Sequence, residues 1–125
     1  MDEIDYYFRN AEENLESSIA LTTWGNTVIH FPYPYYAMFL VAKGLLISEG
    51  HITKTHSGVK SDFSKFYIKE GIFEQKWYVE LSRSETLRNQ ADYDVTFNFN
   101  KKVAQERIIA ATNFIKVVKD YIRNK

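Results

Sequence analysis

Along most of the chain apolar residues return every three or four positions, the period of helices with one buried face. Ile4, Phe8, Ala11, Leu15 and Ile19 mark a first helix over about residues 2 to 22, its first turn rich in acids that suit the positive end of the helix dipole. Trp24 to Pro34, WGNTVIHFPYP, breaks the period: Gly25-Asn26 and the two prolines predict a loop, and its apolar residues suggest that it folds back on the bundle. Pro34 suits the first turn of a helix and biases Tyr33 towards extended backbone. The second helix, about 34 to 49, has Tyr35, Phe39, Ala42 and Leu46 on one face and Ala37, Val41 and Leu45 on another. A helix apolar nearly all round belongs in the middle of a bundle.

Gly50 is a C-terminal stop, and HITKTHS (51 to 57) a polar turn in which Thr55 or Ser57 is available as an N-cap. A third helix, about 57 to 69, turns Val59, Phe63 and Phe66 to the core and ends at Gly71. A fourth covers about 73 to 91. YDVTFNFN (93 to 100) loses the helical period and reads as a linker lying across the bundle. A fifth, about 101 to 123, carries the cleanest stripe: Ala104, Ile108, Ala111, Ile115, Val118 and Ile122. The expected fold is all-α, one domain over residues 1–125, an antiparallel up-and-down bundle of four to five helices.

The fourth helix has one stripe that changes character. Trp77, Leu81, Ser84, Arg88 and Asp92 share an azimuth, beginning apolar and ending in a charge pair. Arg88 stands where packing alone asks for Leu or Ile. Asp92 one turn on supports it, although Arg before Asp is the weaker order for such a pair. A charge on a buried stripe is costly unless paired, so either the stripe ends at a surface or Arg88 has a task.

Composition narrows the function classes. The 125 residues suffice for a real core, and 16% aromatics favour well-filled helix contacts or an aromatic interface. With a net charge of zero there is no global case for nucleic-acid binding. The ends differ, however: Met1 to Ser18 holds six acids against Arg9, while Lys101 to Lys125 holds seven bases against Glu106 and Asp120. Either the first and last helices are neighbours whose charges offset each other, or the last helix has a basic face for RNA or an acidic partner. There is no cysteine, hence no disulfide or thiolate metal site. The start MDEID lacks the basic segment of a signal peptide, and the longest apolar run, Tyr35 to Ile47, is short for a membrane span and contains Lys43; a cytoplasmic location without membrane contact is expected.

His30, His51 and His56 do not have metal-site spacing, HExxH is absent, and the glycines fit neither GxGxxG nor GxxxxGK[ST], so no metal and no cofactor is expected. Ser57 beside His56 is not a triad. His56 also reads as a turn residue satisfied by backbone, Lys54 as a solvated side chain, and Tyr35 and Tyr36 as core aromatics with hydroxyls at the bundle edge. Arg88 and Asp92 read equally as a structural ion pair.

Taken together, YYAMF (35 to 39), LLISEG (45 to 50), KTHSGV (54 to 59) and LRNQADYD (87 to 94) resemble, in order and spacing, the HEPN domain family, and most closely its small stand-alone branch with a KTHSGV-like turn and an R-x-x-A-D-Y helix end. The resemblance implies a helical bundle that homodimerises, often partnered by a minimal nucleotidyltransferase in a toxin–antitoxin-like pair. It also implies, for active members, a metal-independent ribonuclease with Arg, four to six residues, then His. In that motif Arg holds phosphate and His is the acid or base. Arg88 matches the motif arginine, but Tyr93 stands where the commonest form has His, and a phenol titrating near 10 is a poor base at neutral pH. The Arg that often precedes the paired tyrosines is also missing. His56 substitutes only if the turn before the third helix folds towards Arg88.

Three expectations follow. The first is a catalytically silent or weak homodimer that partners a minimal nucleotidyltransferase and binds RNA or nucleotide in the dimer groove. Its ligand-binding residues are Arg88, Asp92, Tyr93, Lys54, His56, Ser57 and Tyr36, and Tyr93 is a candidate acceptor of adenylylation. The second is a ribonuclease with Arg88 and either Tyr93 or His56 as catalytic candidates. The third is a scaffolding helical dimer without catalysis.

Overall fold

A computed structural model describes the backbone of residues 3–24, 33–53, 55–93 and 101–124. Within these spans the side chains of residues 18–24, 33, 56, 91–93 and 101 lie outside the described residues, as does all of Lys54. The elements are α1 (Glu3–Trp24), α2 (Tyr33–Ser48), α3 (His56–Phe63) continued by a π-helical turn (Ser64–Ile68), α4 (Gln75–Tyr93) and α5 (Lys101–Arg123). Of the loop expected at 24 to 34, residues 25 to 32 lie outside the described residues and the rest belong to α1 and α2; of the linker expected at 93 to 100, residues 94 to 100 lie outside them and Tyr93 belongs to α4.

The all-α bundle read from the periodicity is the observed one. α2 is its axis and packs against α1, α3, α4 and α5. Its apolar circumference explains why: Tyr35, Ala37, Met38, Val41, Ala42, Leu45 and Leu46 are all buried, and they meet Ala11 and Leu15 of α1 and Ala111, Phe114, Ile115 and Val118 of α5 in one cluster. α1 and α2 lie close because Gly44 offers no side chain; a Cβ there would come within 2.8 Å of the Cβ of Tyr7. That contact, between the start of one helix and the end of the other, makes the pair antiparallel. Lys119 of α5 bonds Glu12 of α1 and lies over the Phe8 ring, so the acidic first and basic last helices are neighbours whose charges partly offset.

The four long helices alternate in direction, whereas α3 runs in the same sense as α2. At one end Lys60 of α3 and Tyr35 of α2 share the Glu85 carboxylate; at the other, Tyr67 bonds Glu49 just beyond α2. Gly50, at φ +85°, ends α2, and the chain doubles back past His51 and Thr53 before α3 begins. Thr55 is the N-cap, its hydroxyl accepting from the Gly58 N–H at 2.9 Å.

Boundaries shift by one or two residues where helix ends are soft: α2 begins at Tyr33 instead of Pro34, and Trp24 still belongs to α1. A larger departure concerns the third helix. One continuous α-helix to residue 69 is interrupted by the π turn, closed by Lys69 N–H to Ser64 C=O at 2.9 Å. The extra residue in that turn carries Tyr67 into the core and leaves Phe66 half-buried, stacked on His51 with ring centres 3.8 Å apart. A stripe drawn at 3.6 residues per turn misses this change of register.

Candidate functional site: an arginine on a tyrosine platform

The stripe on α4 behaves as its composition requires. Leu81 and Ser84 are buried, Trp77 is half-buried against Phe114, and Arg88 emerges half-buried one turn beyond Ser84. Ser84 is the polar member because a second arginine needs it: Arg107 of α5, only 6% exposed, donates to the Ser84 hydroxyl at 3.3 Å and pairs with Glu80 at 2.7 Å. The Ser84 hydroxyl in turn points its proton at the Met38 sulfur, 3.5 Å away. Burying a guanidinium this deeply is tolerated because it is ion-paired and hydrogen-bonded.

Arg88 itself is held by α2. Its guanidinium carbon lies 5.4 Å from the ring centres of both Tyr35 and Tyr36, and one terminal nitrogen donates to the Tyr36 hydroxyl at 3.2 Å. The other donates to the Asn89 side chain at 2.8 Å. Each cation–π contact contributes about 0.5–1 kcal/mol at a partly exposed site, and with the two hydrogen bonds they hold the fork in place. The adjacent pair of tyrosines is thus a platform: Tyr35 is buried with its ring under Arg88, while Tyr36 is half-buried and presents its hydroxyl to the guanidinium.

The Tyr35 hydroxyl donates to one oxygen of Glu85 at 3.3 Å, and the Lys60 ammonium bonds the other oxygen at 2.9 Å. Burial pushes the Tyr35 phenol well above its ordinary value, with the Glu85 charge adding to the shift and Arg88 opposing it. The phenol therefore stays protonated and keeps its role as donor.

Of the residues singled out in the sequence, Arg88 and Tyr36 are in direct contact. Ser57 is exposed in the first turn of α3, with its hydroxyl 3.4 Å from that of Thr55. The backbone of His56 opens α3 one turn before Lys60, and Lys60 reaches Glu85 one turn before Arg88, so the start of α3 lies towards the Arg88 end of the bundle. The side chains of His56, Asp92 and Tyr93, and Lys54 as a whole, lie outside the described residues. Within KTHSGV, Thr55 caps α3, Val59 is buried, and Gly58 leaves room that a Cβ would take to within 2.6 Å of the Thr53 methyl. Those three residues are architectural.

The sequence reading missed Lys60, Glu85 and Arg107. Arg107 carried a signal, since it falls between Ala104 and Ala111 on the α5 stripe, where the argument applied to Arg88 holds equally. Lys60 and Glu85 carried none, because their pairing spans separate helices. Among the described residues no three His, Cys, Asp or Glu side chains gather as a metal site, and no helix is long and apolar enough to cross a membrane.

The chain is thus an α-helical bundle whose fourth helix, near its C-terminal end, sets an arginine against paired tyrosines of the second. The chain belongs to the HEPN domain family, whose model matches residues 4–121. It is similar to two proteins of Methanocaldococcus jannaschii. "Putative toxin MJ0142" is 29% identical, over 98% of this chain and 84% of that protein. "Putative toxin MJ0605" is 31% identical, over 98% and 90%. A "UPF0332 protein" of Thermotoga maritima is 26% identical over 97% of this chain and 92% of its own length.

Proposed function

We propose that this HEPN protein is the homodimeric member of a toxin–antitoxin-like pair, binding the phosphates of RNA or a nucleotide at its Arg88 end and partnered by a minimal nucleotidyltransferase. The observation that carries the reading is the Arg88 guanidinium, half-buried on two phenol rings and anchored by the Tyr36 hydroxyl. A planar cation fixed before its ligand arrives loses little freedom on binding a phosphate bidentately. The names of the two M. jannaschii relatives support the toxin-like assignment. Tyr93, at the end of the same helix, is the acceptor we assign if the partner transfers a nucleotide to this chain.

The test is to co-express the tagged chain with the nucleotidyltransferase encoded beside it, measure the mass of what co-purifies, and titrate a labelled single-stranded RNA. A complex with two copies of this chain, and RNA binding abolished by Arg88→Ala, supports the reading. A monomer that retains neither partner nor RNA overturns it.

One observation favours a second reading, a metal-independent ribonuclease. What supports a catalytic role for His56 is that Lys60, one turn into α3, reaches Glu85, one turn before Arg88. RNA cleavage that persists in EDTA and disappears in both Arg88→Ala and His56→Ala is its signature; intact RNA ends it.

A further inference from the structure

We infer that Glu85, clamped by Lys60, is a positioning residue for Arg88: it holds the Tyr35 ring in place as the floor on which the guanidinium lies, and so sets the affinity of Arg88 for phosphate without touching the ligand. This deepens, and rests on, the reading of Arg88 as the phosphate contact. Three helices meet in the arrangement. Glu85 belongs to α4, Tyr35 to α2 and Lys60 to α3, and the carboxylate is the only group among these three that accepts from both of the others.

The geometry is that of a support. Lys60 on one oxygen and the Tyr35 hydroxyl on the other fix the carboxylate at both ends, at 2.9 and 3.3 Å. Tyr35 is 2% exposed, so its ring has no room to turn once its hydroxyl is held. Arg88 rests on that ring one helical turn beyond Glu85. The side chains of Glu85 and Lys60 are themselves only 21% and 27% exposed, so the pair is shielded from bulk water and from most screening. Lys60 has a second effect, since its charge offsets an acid that would otherwise stand close to an anionic ligand. Through it the placement of α3, and with it the His56 turn, is tied to the arginine.

Two roles for Glu85 make opposite forecasts. An acid that merely happens to lie near the site repels RNA, so removing it should tighten binding. A positioning acid should do the reverse. The experiment titrates a labelled single-stranded RNA against the full chain, with its partner if the pair co-purifies. It follows the Arg88 Nε–H resonance in parallel; over two aromatic rings that proton is displaced from the free-arginine position.

Glu85→Ala is expected to weaken binding about tenfold and return the resonance towards the free position, with Tyr35→Phe, which keeps the ring and loses the hydroxyl, in between. Glu85→Gln, which keeps an acceptor for Tyr35, should rescue binding to within about twofold. If Glu85→Ala does not fold, Tyr35→Phe carries the test. Lost binding in Arg88→Ala together with unchanged or tighter binding in Glu85→Ala overturns the inference alone. Unchanged binding in Arg88→Ala overturns the reading of Arg88, and the resonance then decides whether Glu85 positions it: an unmoved signal in Glu85→Ala says that it does not.

Discussion

At each end of α2 a carboxylate from outside the helix accepts from tyrosine, yet the two ends are built for different purposes. Beyond the C-terminal end Glu49 takes the hydroxyls of Tyr67 and Tyr121, and both rings sit in a cluster with Phe63 and Phe73 at centre separations of 5.3–6.1 Å. At the N-terminal end Glu85 takes one hydroxyl, and the ring it holds, beside those of Tyr36 and Phe39, also faces a guanidinium. In the first case the carboxylate–phenol bonds lock the end of a core. In the second the same bond supports a cation that ends half-exposed. The lesson is that a buried phenol–carboxylate pair is a generic clamp, and its meaning lies in what rests on the ring.

Breaking the closed end should cost stability and leave ligand binding alone. Phe63 is fully buried among Tyr67, Phe73 and Phe114, so Phe63→Ala should destabilise by about 3–5 kcal/mol in urea unfolding. The RNA affinity of the molecules that remain folded should not change. Next in size comes the arginine one turn below the open end. Arg107→Met strips Glu80 of its partner and should cost about 3 kcal/mol, while adding Glu80→Met should recover most of the loss. A double mutant as unstable as the single would mean that Arg107 contributes packing and not charge.

Glu49→Ala leaves two phenols without their acceptor and should cost about 1–3 kcal/mol. Its effect on RNA binding should be nil, in contrast to Glu85→Ala. Alkali tests both clamps together. Burial raises the phenols of Tyr35 and Tyr67 above their ordinary value, so the folded state holds their protons to higher pH than the unfolded chain does. Their contribution is therefore complete below about pH 10, where unfolded tyrosine ionises, and is lost as pH rises above it. Thermal melts should be flat into the mildly alkaline range and fall beyond it, with a gentler slope in Tyr67→Phe. The smallest effect belongs to the pair between first and last helices: Lys119→Ala should change stability by less than about 1 kcal/mol, because the pair is partly exposed and screened.

The helices and the central position of α2 were legible because one period governs them; α5 is found at Lys101–Arg123, where its stripe predicts it. Arg88 was legible for a related reason, as a charge on an apolar stripe. Its partners on α2 were not. The i to i+4 rule directs attention to Asp92, whose side chain lies outside the described residues; the contacts with Tyr35 and Tyr36, more than fifty residues earlier, arise only when helices pack. Within KTHSGV the cap and the buried valine follow from local rules, but the need for Gly58 comes from the Thr53 methyl on the strap doubling back over α3. The π turn was invisible because nothing in SKFYI announces an extra residue per turn.

The most direct test of the central claim is the RNA affinity of Arg88→Lys against wild type at matched thermal stability. Lysine keeps the charge and loses the planar fork that packs against Tyr35 and Tyr36. If that fork, held against the two rings and the Tyr36 hydroxyl, is what meets phosphate, the variant binds about tenfold more weakly. Binding equal to wild type would contradict the account, since a point charge at that position would then suffice and the tyrosine platform would have no part in recognition.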